Sequence, residues 1–295
     1  SRGFLAAPFV WVFTEFLRYW LTGNNWNAIG YSQAFSLNAL ASIGGVALVG
    51  VQVVFLNILV YAAMQPRLAK EGAKVAYYSG ILIFIGMVYG VTIWVKLSSI
   101  EKRMKDFKAD VIAIQPNVPM SGLDYTKWGE LRQRQIDMAE AAIKKNNEKR
   151  TTNNDLSTTV ILPESPMNFM YEDDREFQKF INDFARRNNV SVLFNSAEPD
   201  ATNGKYFNSA VMVGPDGREA GQYDKIFLLP FGEAVPPPLD AIVPGFVGNF
   251  SYGREYDILP IGDAKAGLMI CFESHFGQLS REYVRNGADV LIEMT

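Results

Sequence analysis

The sequence predicts an α/β layered domain carried on transmembrane helices, and two observations predict it. No charged residue occurs from Tyr19 to Gln65 or from Val75 to Val95, whereas from Lys96 onward charges are dense and evenly mixed. In that second part, strand-like and helical patterns alternate along the chain. The 295 residues thus divide into a membrane part, 1–97, and a water-soluble part, 98–295, long enough to bury one full core. A formal charge of −3 gives no sign of nucleic-acid binding. One cysteine excludes a disulfide framework, and no Cys/His cluster suggests a metal. The chain opens inside an apolar segment without a cleavable leader and stops on an apolar strand, so both ends are expected to continue.

In the membrane part, Leu37–Met64 is 28 uncharged residues, about 42 Å of helix at 1.5 Å per residue, enough to span with tilt. Val75–Val95 is a second span, closed by Lys74 and Lys96. Gly3–Leu21 is a weaker third, since Glu15 and Arg18 fall on one face. That pair is either a helix-packing pair or a polar contact near lipid. Arg67, Lys70 and Lys74 favour a cytoplasmic 65–74 loop, yet Lys96, Lys102, Arg103, Lys105 and Lys108 favour the same side for the soluble part. Alternation forbids both, so charge alone leaves the orientation open.

In the soluble part, strands are expected at 110–117, 159–165, 191–198 and 267–274, with a last one at 288–295. Two more, within 206–225, flank a Pro215-Asp216-Gly217 turn. Helices are expected at Asp124–Glu148, Asp173–Asn188 and Gln278–Asn286, the second with Phe177, Phe180, Ile181 and Phe184 on one face.

Three strand ends carry reactive groups: Glu164 in LPES, Lys225 in YDKIFLLPFGE and Cys271 in GLMICFES. Strand ends on one sheet edge point the same way, so the three can share a pocket. A carboxylate would deprotonate the thiol, the thiolate would attack a carbonyl, and the ammonium would balance the oxyanion. The start of a helix beside Cys271 is expected to lower its thiol pKa. Each residue alone has a plainer reading, as a helix cap, a solvated turn lysine and a core thiol. His275 is read as a surface or packing residue rather than a base.

ILPES, YDKIFLLPFGE and MICFES, in this order, resemble the Glu, Lys and Cys blocks of the nitrilase superfamily. RYWLTGNNWNAIGYSQ (18–33), two spans and QPNVP…KW (115–128) further resemble the bacterial apolipoprotein N-acyltransferase family. The resemblance implies a nitrilase-like αββα sandwich on about three transmembrane helices of the bacterial inner membrane, facing the periplasm. It implies acyl transfer from a phospholipid to a diacylated apolipoprotein through a cysteine thioester, with no metal or cofactor. It places catalytic roles on Glu164, Lys225 and Cys271, and supporting roles on Glu233, Glu273 and Trp128. Phe272 stands where the family usually has Tyr, and LIEMT stands where it has an Asn/Asp-Trp-Phe-Gly loop. An acyl chain needs an apolar path. PPPLDAIVPGFVGNF (236–250), with Phe246 and Phe250, is expected to be a lid, or else a loop packed on its own domain. Phe169 and Met170 are expected in the acyl pocket. The competing readings are a membrane-tethered amidase with the same triad and a non-catalytic scaffold.

Overall fold

The computed structural model describes residues 2–22, 27–33, 40–64, 109–118, 124–149, 157–164, 169–235 and 250–295, with scattered helical residues between 78 and 97. The chain forms two compact units, Ser1–Asp106 and Phe107–Thr295.

In the first unit, α1 (Arg2–Thr22) packs on α2 (Ala41–Met64), with a short helical turn at Ile29–Gln33. Glu15 is buried in α1 and accepts the Trp11 indole N–H at 3.0 Å and the Ile29 amide at 2.8 Å. Its partners therefore lie in its own helix and the following turn. α2 bends at Gly44–Gly45, where Gly45 takes φ +62°. Beyond the bend, Gly44–Tyr61 is long and apolar enough to cross a membrane, the one such helix among the described residues. Much of the expected span at 75–95 lies outside them.

The second unit holds two sheets. The first contains β1 (Asp110–Ala113), β2 (Thr158–Ile161), β3 (Val190–Asp200), β4 (Lys205–Val213) and β5 (Glu219–Asp224), in that spatial order, with β6 (Phe250–Ser251) beside β4. β1, β2 and β3 run parallel, and β3, β4 and β5 antiparallel. The second sheet is β7 (Ile258–Ile261), β8 (Ala264–Ile270) and β9 (Val290–Met294). Helices α3 (Tyr125–Lys149) and α4 (Arg175–Asn188) cover one face of the first sheet. Ile136, Ala139, Ile143, Ile181 and Phe184 meet Val160, Val192, Phe194 and Val211 there. The alternate strand residues Thr159, Ile161, Leu193, Ala210 and Met212 are buried toward the other face, as period two demands. α5 (Gly277–Arg285) packs on β8 and completes the αββα sandwich.

Local chemistry sets the boundaries. α4 starts where the Asp174 carboxylate accepts the Glu176 and Phe177 amides, both at 3.0 Å, and ends at Asn189 in the left-handed region, φ 52°. The β7–β8 hairpin is absent from the sequence expectation. Pro260 lies within β7 and removes a ladder donor, so the run reads poorly as a strand. The expected strand at 267–274 ends instead at Ile270, and Cys271–His275 form one tight helical turn.

Candidate active site

Glu164 lies three residues past β2, Lys225 directly follows β5, and Cys271 directly follows β8. The fold brings these strand ends together. Lys225 is 1% exposed, and its Nζ lies 2.8 Å from Glu233 Oε1 and 3.6 Å from Glu164 Oε1. A buried ammonium is tolerable only when paired, and here two carboxylates face it. The lysine's backbone is also fixed. Its amide donates to the Asn208 carbonyl at 2.9 Å, and its carbonyl accepts the Gly253 amide at 2.8 Å. Gly253 is a close approach: a β-carbon there would meet the Asp224 carbonyl oxygen at 2.0 Å.

Cys271 takes φ 52°, a region an L-residue seldom occupies. Such strain clusters at functional sites, which makes Cys271 a candidate nucleophile. The turn after it holds the conformation, with the Ser274 hydroxyl donating to the Cys271 carbonyl at 3.1 Å and the Phe276 amide to the Glu273 carbonyl at 2.9 Å. The thiol pKa is raised, first by burial and then by the Glu164 charge, while the Lys225 ammonium acts in the opposite direction. The expected lowering by a helix start is therefore overturned. One tight turn offers little dipole, and the thiol is half-buried beside the Glu164 carboxylate. Burial and the neighbouring carboxylate thus both favour the protonated thiol.

Glu273 is fully buried and accepts four donors. Tyr223 Oη at 2.8 Å and the amides of Ile226 at 2.8 Å and Phe227 at 3.0 Å meet Oε1, and the Ile270 amide meets Oε2 at 2.9 Å. Burial raises its pKa, and those donors oppose the rise. One side chain thus joins the segment after Lys225 to the residue before Cys271. Glu233 accepts Lys225 through Oε1 and the Leu229 amide through Oε2 at 2.7 Å.

The remaining expected residues occupy varied positions. Phe169 is 7% exposed, stacks on Phe177 at 3.7 Å between ring centroids, and belongs to the core under α3 and α4, not to a pocket wall. It is drawn there because the Ala197 amide holds its carbonyl against β3 at 2.7 Å. Met170 is half-buried, and its carbonyl accepts the Asp174 amide. Trp128 sits half-buried in the first turn of α3. Phe250 is half-buried, with its amide donating to the Glu233 carbonyl at 3.2 Å. Phe246 lies outside the described residues. The His275 ring turns back to the Phe272 carbonyl at 3.1 Å, a local packing contact.

Sequence reasoning passed over two features. Asn208, on β4, donates to Glu164 Oε1 at 3.1 Å and to Glu233 Oε1 at 2.6 Å. Leu229 and Phe231 are 41% and 54% exposed on the turn that carries Glu233. The signal for Asn208 was a polar residue inside an apolar run, YFNSAVMV, and for Phe231 a bulky residue before glycine in LLPFGE.

Residues 89–295 match the carbon-nitrogen hydrolase family. The chain belongs to that family. Residues 1–59 match the apolipoprotein N-acyltransferase N-terminal domain. The chain is 29% identical over 301 residues to the apolipoprotein N-acyltransferase of Geobacter metallireducens, covering 99% of this chain and 56% of that one. It is 30% identical over 281 residues to the enzyme of that name from Thermotoga maritima, covering 93% and 48%. The chain therefore spans about half the length of the curated relatives it matches. Among solved structures, a carbon-nitrogen hydrolase from Helicobacter pylori matches with a TM-score of 0.44 at 22% identity, covering 63% of this chain and 59% of that one.

Proposed function

We propose that this chain carries out N-acylation of lipoproteins through a Cys271 thioester. The observation that carries the reading is one cluster, a buried ammonium between two carboxylates beside a protonated thiol. It occurs in a chain whose first 59 residues match the apolipoprotein N-acyltransferase N-terminal domain. Residues 1–97 would hold the chain in the bacterial inner membrane, and 98–295 would form a catalytic domain facing the periplasm.

The steps follow from the groups present. Glu164 takes the Cys271 proton as the sulfur attacks the ester carbonyl of a phospholipid. The oxyanion that forms is balanced by Lys225, which Glu233 holds in place. The intermediate collapses, the carbon–oxygen ester bond breaks, and Glu164 returns the proton to the departing lysophospholipid alkoxide. The α-amine of a diacylglyceryl-cysteine then attacks the thioester carbonyl, its proton passes to Glu164, and the Cys271 thiolate leaves and is reprotonated. The product is an amide, and the enzyme is restored. Exposed Leu229 and Phe231, with half-buried Phe227 and Phe272, lie on the segments carrying Lys225, Glu233 and Cys271, and half-buried Phe250 on β6 bonds the Glu233 carbonyl through its amide. They supply apolar surface for an acyl chain and for excluding water, which would hydrolyse the thioester.

Intact-mass measurement tests the reading. The protein, incubated in detergent with phospholipid, is expected to gain one fatty-acyl mass on Cys271 and to lose it when a diacylated lipopeptide is added. No adduct, with ammonia released from simple amides, would favour the amidase reading instead.

A further inference from the structure

We propose that Asn208 is a positioning residue whose carboxamide, locked in one orientation by Asn195, holds Glu164 and Glu233 on either side of the Lys225 ammonium. The inference extends the acyl-transfer reading by giving the reactive cluster an organiser from outside the three strand-end blocks.

The orientation follows from acceptors that cannot donate. Asn195 Nδ2 lies 3.0 Å from the Ser209 carbonyl oxygen, which only accepts, so this face of Asn195 must be its amide nitrogen. The same nitrogen lies 2.6 Å from Asn208, which must therefore present its oxygen to Asn195. The Asn208 NH₂ is left facing the two carboxylates, with one hydrogen for each, at 3.1 Å to Glu164 and 2.6 Å to Glu233. A backbone carbonyl on β4 thus sets the polarity of the whole chain of amides. Both asparagines are buried, 7% exposed each, so water does not compete for these bonds.

This arrangement solves a problem of like charges. Glu164 and Glu233 converge on one ammonium, and Lys225 lies nearer Glu233 than Glu164. A neutral donor between them satisfies both oxygens without adding charge. On Glu164, the Asn208 and Lys225 contacts both fall on Oε1, so Oε2 carries neither and the carboxylate is held in one rotation. Glu164 also faces the Cys271 thiol, and a base held in one rotation keeps its proton-transfer geometry.

Three variants in detergent test the proposal, with two readouts. One is the pH profile of Cys271 alkylation by iodoacetamide, which uses no lipid. The other is the rate of acyl-enzyme formation. Asn208→Asp keeps the volume but replaces the donor with negative charge. Its alkylation profile is expected to move up by about one pH unit, and acylation to slow about a hundredfold. Asn208→Ser loses volume but keeps a hydroxyl donor, and is expected to retain more acylation activity than the Asp variant. A space-filling role gives the reverse order, Asp near wild type and Ser slow, with an unmoved profile, and that result overturns the proposal. Should the Asp variant fail to fold, Asn195→Ala leaves every charge in place while releasing the Asn208 amide. Slower acylation with an unmoved alkylation profile supports the orientation lock, and a wild-type rate overturns it. If no protein, wild type included, is acylated, the lipid-donor reading fails, and an unmoved Asp profile then overturns the positioning role as well.

Discussion

Glu273 and Glu233 are both carboxylates withdrawn from solvent beside a reactive group, yet their partners differ in kind. Glu273 is met by one hydroxyl and three backbone amides, with no cation bonded to it among the described residues. Glu198 is built the same way, accepting the Tyr171 and Glu172 amides and the Ser196 hydroxyl, and its pKa too is raised by burial. Glu233 instead faces the Lys225 ammonium, with Asn208 and one backbone amide. Carboxylates bonded to N–H groups tie chain segments together. Those facing the ammonium divide its charge. On the proposed mechanism, the first arrangement would serve the shape of the site and the second its chemistry.

The largest expected effects lie in the second group and have opposite signatures. Glu164→Gln removes the proposed base, and acyl transfer should fall by about 10²–10⁴. Lys225→Met removes the oxyanion partner and should cost about 10²–10³. The thiol distinguishes them. Glu164 raises the Cys271 pKa and Lys225 lowers it. Glu164→Gln should therefore move the iodoacetamide profile to lower pH, and Lys225→Met to higher pH, although both should slow turnover. Shifts in the same direction would mean that the two side chains do not act on the thiol as opposed charges.

The next pair sets Glu273→Gln against Glu233→Gln. In Glu273, one oxygen holds three donors and the other holds one. A glutamine in either orientation turns its NH₂ toward at least one N–H, so stability should fall by about 2–3 kcal/mol. Turnover per folded molecule should change less than tenfold, a modest loss on the scale of catalytic substitutions. In Glu233→Gln, Glu164 still faces the ammonium at 3.6 Å, so the fold should lose less. Turnover should fall about a hundredfold because Lys225 is no longer held. Thermal melts and single-turnover rates read the two quantities, and an inverted order would erase the distinction between tying and charging.

The sequence shows these roles unevenly. β3, β4 and α4 were readable because long apolar runs, a Pro-Asp-Gly turn and an Asp cap agree with one another. β7 was hidden by Pro260 and by its length of four residues. The strand-end positions of Glu164, Lys225 and Cys271 were readable from local pattern. The raised thiol was not, because burial, its largest cause, and the charge of distant Glu164 both arise only when the sheets assemble. The polar break at Asn208 was ambiguous for the same reason. An Asn-Ser pair in a strand has no local mark that tells a core amide from one bonded to two distant carboxylates.

The smallest expected effect tests whether the Glu233 turn holds strain for a purpose. Phe231 takes φ 62° and is 54% exposed, an arrangement with little to favour it in packing alone. Its turn is closed by the Phe231 amide on the Ala234 carbonyl at 2.8 Å and by the Glu233 amide on the Leu229 carbonyl at 2.9 Å. Glycine accepts that backbone without strain, so Phe231→Gly should leave the protein as stable as wild type or more stable by up to about 1 kcal/mol. Lys225 and Glu233 would keep their contact, so reaction with a short, water-soluble acyl ester should be unchanged. Reaction with phospholipid should fall several-fold, because an apolar side chain beside the site is gone. Equal losses with both donors would show that the ring supports the turn. No loss with either would leave the strained phenylalanine without a part in handling the acyl chain.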